Sequence, residues 1–160
     1  MCDEAQAACE NVLRVTPCRA QDFSELEEIL RVSPEAAAWS AQALTDALRQ
    51  HPGYFFVGRQ EKGIVGFICG RRVLDEGDIL NLAVRPEVRK RGVGKALLQK
   101  LLDTFAHEGV TQSFLEVRES NTGAIGFYKD RGFRQIGLRA SYYQNPAEAA
   151  LVLAFKNKLD

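Results

Sequence analysis

Hydrophobic positions recur along the chain with two periods, and the switches between them predict its elements. Val12 to Thr16 reads as a short strand. Phe23, Leu26, Ile29 and Leu30 then fall at the spacing of a helix that begins at Asp22. Ser33-Pro34 ends it, because proline lacks an N–H and disfavours helix at the residue before it, and a second helix starts near Ser40 with Leu44 and Leu48 on one face. His51-Pro52-Gly53 is a turn. Tyr54 to Arg59 and Ile64 to Arg72 read as two strands of a hairpin around Gln60-Glu61-Lys62-Gly63. Asp75-Glu76-Gly77-Asp78 reads as another turn, leading into Ile79-Leu80-Asn81-Leu82-Ala83-Val84, a nearly unbroken apolar run typical of a strand covered on both faces. Val93, Leu97, Leu98, Leu101, Leu102 and Phe105 then keep helical spacing until Gly109. Ser113 to Arg118 is a strand, Asn121 caps a helix running to about Arg131, and Gly132 ends it. Phe133 to Ser141 and Ala149 to Phe155 are the last two strands. The order β-α-α-β-β-β-α-β-α-β-β predicts an α/β (α+β) domain over residues 12–160, preceded by a loose tail over residues 1–11.

Composition narrows the classes. At 160 residues the chain has the size of one ordinary domain with a substantial core. Lysine plus arginine equals aspartate plus glutamate at 21 each, so no bulk charge points to nucleic acid or membrane, and neither partner is expected. Cys2, Cys9, Cys18 and Cys69 have no metal-ligand spacing, and only His51 and His107 could assist them. Free thiols in a reducing cytosol, without metal or disulfide, are therefore expected. Met1 to Asn11 is acidic without an apolar centre, unlike a signal peptide, and no apolar run approaches the ~20 residues of a membrane helix. A cytoplasmic protein is expected.

The first chemistry lies at the junction of the apolar strand and the long helix, Arg89-Lys90-Arg91-Gly92-Val93-Gly94-Lys95. A helix N-terminus offers unpaired N–H groups and the positive end of the helix dipole. Two glycines let the backbone approach an anion, with basic residues on both sides. The alternative is a glycine turn with a solvated basic face. A dinucleotide fingerprint would need a third glycine where Leu97 stands, and a P-loop would need Ser or Thr at Ala96 and Gly at Arg89. Both nucleotide patterns fail there. What remains, Arg-x-x-Gly-x-Gly between strand and helix, resembles the coenzyme A pyrophosphate loop of the GNAT acyltransferases, whose signature is Arg/Gln-x-x-Gly-x-Gly/Ala.

The order of elements is similar to the GNAT fold from roughly Leu13 to Phe155, which implies a mixed central sheet of about seven strands flanked by about four helices. Leu115-Glu116-Val117-Arg118, Ser120-Asn121, Ala124-Ile125, Tyr128 and Gly132-Phe133 resemble the bacterial ribosomal-protein-alanine N-acetyltransferases. So do Trp39-Ser40, and Tyr142-Tyr143 followed by Glu148. The resemblance implies acetyl-CoA as cosubstrate and a ribosomal protein N-terminus as acceptor. It implies that backbone groups of Leu82, Ala83 and Val84 pair with the pantetheine and the acetyl carbonyl. Lys90, Arg91, Gly92, Val93, Gly94 and Lys95 would hold the pyrophosphate, with Arg89 supporting the loop and Asn121 touching the cofactor further along. Glu116 would be the general base and Tyr128 the general acid. Trp39, Tyr142 and Tyr143 would meet the acceptor, the two tyrosines from a loop between the last strands. The chain departs from the pattern in the shortness of that loop, Tyr142 to Glu148, in Glu148-Ala149 where an acidic pair is common, and in Gly123 and Gly126 where alanines are common.

The residue types suit the chemistry independently of the resemblance. A free α-amino group has a pKa of about 7.7–8.0 and is mostly protonated at neutral pH, so a carboxylate within reach is needed to free the nucleophile. A departing thiolate gains from a nearby donor such as a tyrosine hydroxyl. Asn121 and Tyr128 are seven residues apart, on one helical face after the strand bearing Glu116. Alternatives stand beside these roles: Glu116 as a solvent-facing strand residue and Tyr128 as a core residue. The function then reads as N-terminal acetylation, with lysine, polyamine or other small-amine acetylation, or a non-catalytic acetyl-CoA sensor, as the rivals.

Overall fold

The computed structural model describes residues 12–159; the expected tail, with Cys2 and Cys9, lies outside them. The strands are β1 Arg14–Pro17, β2 Phe55–Gln60, β3 Gly63–Val73, β4 Glu76–Val84, β5 Gln112–Arg118, β6 Arg134–Tyr143 and β7 Glu148–Lys156. The helices are α1 Phe23–Arg31, α2 Ala41–Gln50, α3 Val93–His107 and α4 Thr122–Lys129. The sheet has the order β1-β2-β3-β4-β5-β7-β6 and is mixed, since β5 runs parallel to β4 while β5–β7 and β6–β7 are antiparallel. The expected α/β architecture of seven strands and four helices is the one observed.

The chain forms two compact units, the first comprising residues up to Arg71 with Leu80–Thr104, the second Arg72–Ile79 with the residues from Phe105 onward. In the first unit, Leu26 and Ile29 of α1 and Leu44 and Ala47 of α2 bury their apolar stripes against Phe55, Val57, Ile64, Phe67, Cys69 and Ala83 of the sheet. Each large side chain so buried stabilises the fold by roughly 1.5–3 kcal/mol. Helix α3 sets Val93, Leu97 and Leu101 into the fold with almost no exposure. Gly66 accommodates this packing: a Cβ there would lie 2.8 Å from the Ala83 carbonyl and 3.1 Å from Leu97. The buried Asp22 carboxylate is paired with Arg59 at 2.7 Å and accepts the Arg19 N–H, fastening the entrance of α1 to β2.

In the second unit Phe105, Val110, Leu115, Val117, Tyr128, Phe133 and Leu153 make the core, and Phe133 stacks on Phe155. Ser113, buried in β5, donates to Asn157, whose amide nitrogen donates to the Val110 carbonyl, so the polar groups at this end are satisfied internally.

Three expectations are corrected. The turn lies at Leu74-Asp75 rather than Asp75–Asp78: Leu74 takes the left-handed conformation (φ 57°), and Gly77 and Asp78 already pair with Ser113 and Phe114 in the parallel ladder. Gly77 serves packing, since a Cβ there would lie 2.6 Å from the Phe105 ring. Tyr54 closes a short 3-10 turn, Pro52–Tyr54, ahead of β2. Tyr142 and Tyr143 are the last residues of β6, where Tyr143 pairs with Glu148, and the connection is shortened to residues 144–147.

Candidate active site

In the first unit, β4 ends at Leu82-Ala83-Val84, with Ala83 buried and its neighbours half-buried. Two arginines then tie the following loop to the body of the unit. Arg85 donates to the Ile64 carbonyl at 2.8 Å and pairs with Glu28 at 3.3 Å, which holds the Glu28 carboxyl below its usual range. Arg89 donates to the Val84 carbonyl at 3.0 Å and to the Ser33 hydroxyl at 3.3 Å, and forms an ion pair with Glu35. Its guanidinium is engaged within the protein, as suits a residue that supports a loop.

Beyond Arg89 the backbone turns through Lys90 (φ 60°) and Gly92 (φ 87°) into α3. A side chain on Gly92 would meet nothing within 4 Å, so the loop is open there, and its positive φ favours glycine. Val93 is buried and anchors the helix start, and the first helical bond runs from the Ala96 N–H to the Gly92 carbonyl. The exposed Lys90, Arg91 and Lys95 have no ion pair among the described residues. A fifteen-residue helix thus points its free N–H groups into a loop with three uncompensated cations and no acidic side chain in its first turn. That donor set fits a phosphate group.

In the second unit, the alternation of β5 buries Ser113, Leu115 and Val117 and turns Phe114, Glu116 and Arg118 to the opposite face. The ladder sets Glu116 beside Val152 and then Gly137, and Arg118 beside Ala150 and then Arg139. The small residues in these rows leave room for Arg139 to cross diagonally, and its Nη1 lies 3.1 Å from Glu116 Oε1. The Tyr142 hydroxyl also donates to Glu116, which raises the pKa of that phenol.

From this pair a network extends. Arg139 lies over the Tyr142 ring, which meets Tyr143 edge-on at 5.0 Å. Arg118 lies 4.2 Å from the Tyr143 ring centre, pairs with Glu148 at 3.1 Å, and donates to the carbonyls of Pro146 and Gln144. Glu148 accepts the Ser120 N–H at 2.7 Å. Ser120, ahead of Arg118, keeps the Glu148 carboxyl below its usual range. Two carboxylates, two guanidiniums and two phenols thus share one face, with charges balanced.

The structure therefore brings Glu116, Tyr142 and Tyr143 together and adds Arg139, which the sequence reading passed over. Its only advance signal is the two-residue alternation of β6, which carries no meaning until the register with β7 is known. Asn121 caps α4, accepting the Ala124 N–H at 3.1 Å, and its amide nitrogen has no partner among the described residues. Tyr128 is 7% exposed, edge-on to Phe127 and Phe133 at 5.1 and 5.3 Å, and burial pushes its phenol pKa up. No hydrogen bond joins it to Glu116. The core placement and a donor role are compatible, because the raised pKa keeps the hydroxyl protonated. Trp39, in the first unit, packs half-buried against the α1–α2 core. Among the described residues no group of three or more His, Cys, Asp or Glu could hold a metal, and no helix is long and apolar enough to cross a membrane.

Comparison with known proteins bears on this geometry. The family model described as acetyltransferase (GNAT) family matches residues 20–133. The ribosomal protein bS18-alanine N-acetyltransferase of Escherichia coli strain K12 is 33% identical over 136 residues, which is 83% of this chain and 92% of that protein. The crystal structure of the ribosomal-protein-alanine N-acetyltransferase from Escherichia coli matches with a TM-score of 0.81 at 29% identity, covering 93% of this chain and 96% of its own. Ard1 from Thermoplasma volcanium matches with a TM-score of 0.86 at 27% identity, covering 91% and 98% respectively.

Proposed function

Because the chain belongs to the GNAT acetyltransferase family, and so is an acetyl-CoA-dependent acyltransferase, we propose that it acetylates the free α-amino group of a protein N-terminus, specifically the N-terminal alanine of a ribosomal protein. The observation that carries this reading is the placement of Glu116 on a polar sheet face with Arg139 and the Tyr142–Tyr143 pair, within a chain whose relatives bear the name of that activity.

Acetyl-CoA supplies, when bound, an acyl group activated as a thioester. Backbone groups of Leu82, Ala83 and Val84 pair with its pantetheine and acetyl carbonyl. Lys90, Arg91 and Lys95 and the backbone from Gly92 to Gly94 hold the pyrophosphate, while Arg89 braces the loop. The free amide nitrogen of Asn121 adds a donor. Glu116 takes the proton from the acceptor's ammonium group, directly or through one water, and so frees the nitrogen lone pair. Tyr128, kept protonated by burial, donates toward the departing sulfur. Trp39, Tyr142 and Tyr143 receive the acceptor's first residues.

The test is steady-state kinetics with a peptide bearing a free N-terminal alanine. Glu116→Gln is expected to lower kcat/KM by about 10²–10⁴-fold. The loss should shrink as pH rises, because neutral amine then becomes available without an enzymic base. Unchanged kinetics in Glu116→Gln would remove Glu116 from the chemistry.

A further inference from the structure

Arg139 lies on the exposed strand β6, and none of the roles assigned above uses it. In a regular strand, residues three apart face opposite sides of the sheet, so Arg139 and Tyr142 would point away from each other. The ladder between β6 and β7 breaks this alternation: Arg139 pairs with Ala150 and Tyr143 with Glu148, with a register shift between them. Ser141, inside the shift, takes the left-handed conformation (φ 52°), which strains most residues other than glycine. Irregularities of this kind re-aim side chains. Here the outcome is a closed triangle. Arg139 Nη1 lies 3.1 Å from Glu116 Oε1, the Tyr142 hydroxyl donates to Glu116, and the Arg139 guanidinium lies 5.6 Å from the centre of the Tyr142 ring. Each member thus touches the other two. A glutamate on a strand face without such contacts would spread over several staggered rotamers. The Glu116 side chain is 26% exposed and that of Arg139 58%, and an ion pair so open to water adds little to stability. It does not offset the strain at Ser141; what the turn achieves is a carboxylate held in one place.

We propose that Arg139 is a positioning residue: together with the Tyr142 hydroxyl it holds the Glu116 carboxylate in the orientation from which it takes the acceptor's proton. The proposal rests on the acetyltransferase reading above, in which Glu116 is the general base. Holding the carboxylate does not use it up. Its two oxygens offer about four lone-pair positions, so the two contacts leave room for an ammonium group or a bridging water. In the step itself an N–H bond of the acceptor breaks and an O–H bond forms on Glu116, while the electron pair stays on the nitrogen. Arg139 remains charged throughout, since a guanidinium does not release its proton in a protein. It therefore acts by geometry and charge, not as an acid.

The experiment is a double-mutant cycle in steady-state kinetics, with acetyl-CoA and a peptide bearing a free N-terminal alanine. It uses the wild type, Arg139→Gln, Glu116→Gln and the double variant. Arg139→Gln is expected to lower kcat about 10-fold, the low end for a hydrogen bond to a charged group because Arg139 is more than half exposed, with KM for the peptide unchanged. In the Glu116→Gln background the same substitution should change kcat by less than about 2-fold, because the group it positions is gone. Arg139→Lys keeps a cation at this place and should fall between the wild type and Arg139→Gln. An equal loss in both backgrounds means that Arg139 only supports the strand. A rise in KM with kcat retained means that it meets the acceptor itself. Either result overturns the proposal, and so does wild-type kcat in Arg139→Gln. Wild-type kinetics in Glu116→Gln contradict the parent reading and take the proposal with it, a failure that the glutamate variant alone reveals.

Discussion

In the proposed mechanism Glu116 and Tyr128 divide the chemistry between two unlike environments. Glu116 sits on a polar, partly exposed strand face with a guanidinium and a phenol already turned toward it, whereas Tyr128 is enclosed by Phe127 and Phe133. Burial favours the neutral phenol and keeps the Tyr128 hydroxyl protonated, as the proposed donor role requires. Tyr128→Phe keeps the ring and its edge-on contacts and removes only the hydroxyl. Its expected outcome is unchanged acetyl-CoA affinity with a fall in kcat of about 10²-fold or more, measured by calorimetric titration and by initial rates. Equal turnover would leave Tyr128 as a core residue alone. The types of both residues and their spacing are readable from the chain, but the partner of Glu116 is not. Arg139 is 23 positions away in sequence and reaches Glu116 only because β7 runs between β5 and β6 with Ala150, Val152 and Gly137 keeping the crossing low.

The elements that the sequence marks most clearly are those with a long apolar period: α3, with Leu97 and Leu101 buried, and β4. The misread points are places where one residue type serves two purposes. Gly77 signals a turn but lies in a strand to admit Phe105, and the true turn uses Leu74, which carries no turn signal. In α4, Gly123 and Gly126 have open space where a Cβ would go. Replacing each by alanine should stabilise the protein by roughly 0.8–1.0 kcal/mol. For a chain of this size that corresponds to about 2–4 °C per substitution by thermal unfolding. A drop in melting temperature would mean that the glycines meet a constraint beyond helix propensity. Glu148 joins the start of β7 to Ser120 and Arg118, and its folded pKa lies below the ordinary 4.5. A carboxylate so depressed contributes stability that is present above the unfolded pKa and lost as pH falls through the folded one. Melting curves of wild type and Glu148→Gln should therefore differ at neutral pH and draw together below pH 4.5. A constant gap between them across that window would exclude this linkage.

At the scale of the molecule, zero net charge hides a local asymmetry. Arg85 and Arg89 are neutralised by Glu28 and Glu35, while Lys90, Arg91 and Lys95 are left without ion pairs among the described residues. Composition alone does not tell which cations are occupied, because that depends on where α1 and the segment after it pack. The order of seven strands and four helices is legible from periodicity, and so is the junction of β4 and α3. The acceptor is not, since Trp39, Tyr142 and Tyr143 acquire meaning only from what they face. The central claim, transfer of acetyl to an α-amine, is tested most directly by incubating the protein with acetyl-CoA and two peptides, one with a free N-terminal alanine, the other N-terminally blocked with an internal lysine. Fragmentation mass spectrometry then locates the product. An acetyl group on the α-nitrogen of the alanine peptide, with the blocked peptide unmodified, is the predicted result; an acetyl group on the lysine side chain, or on neither peptide, would contradict it.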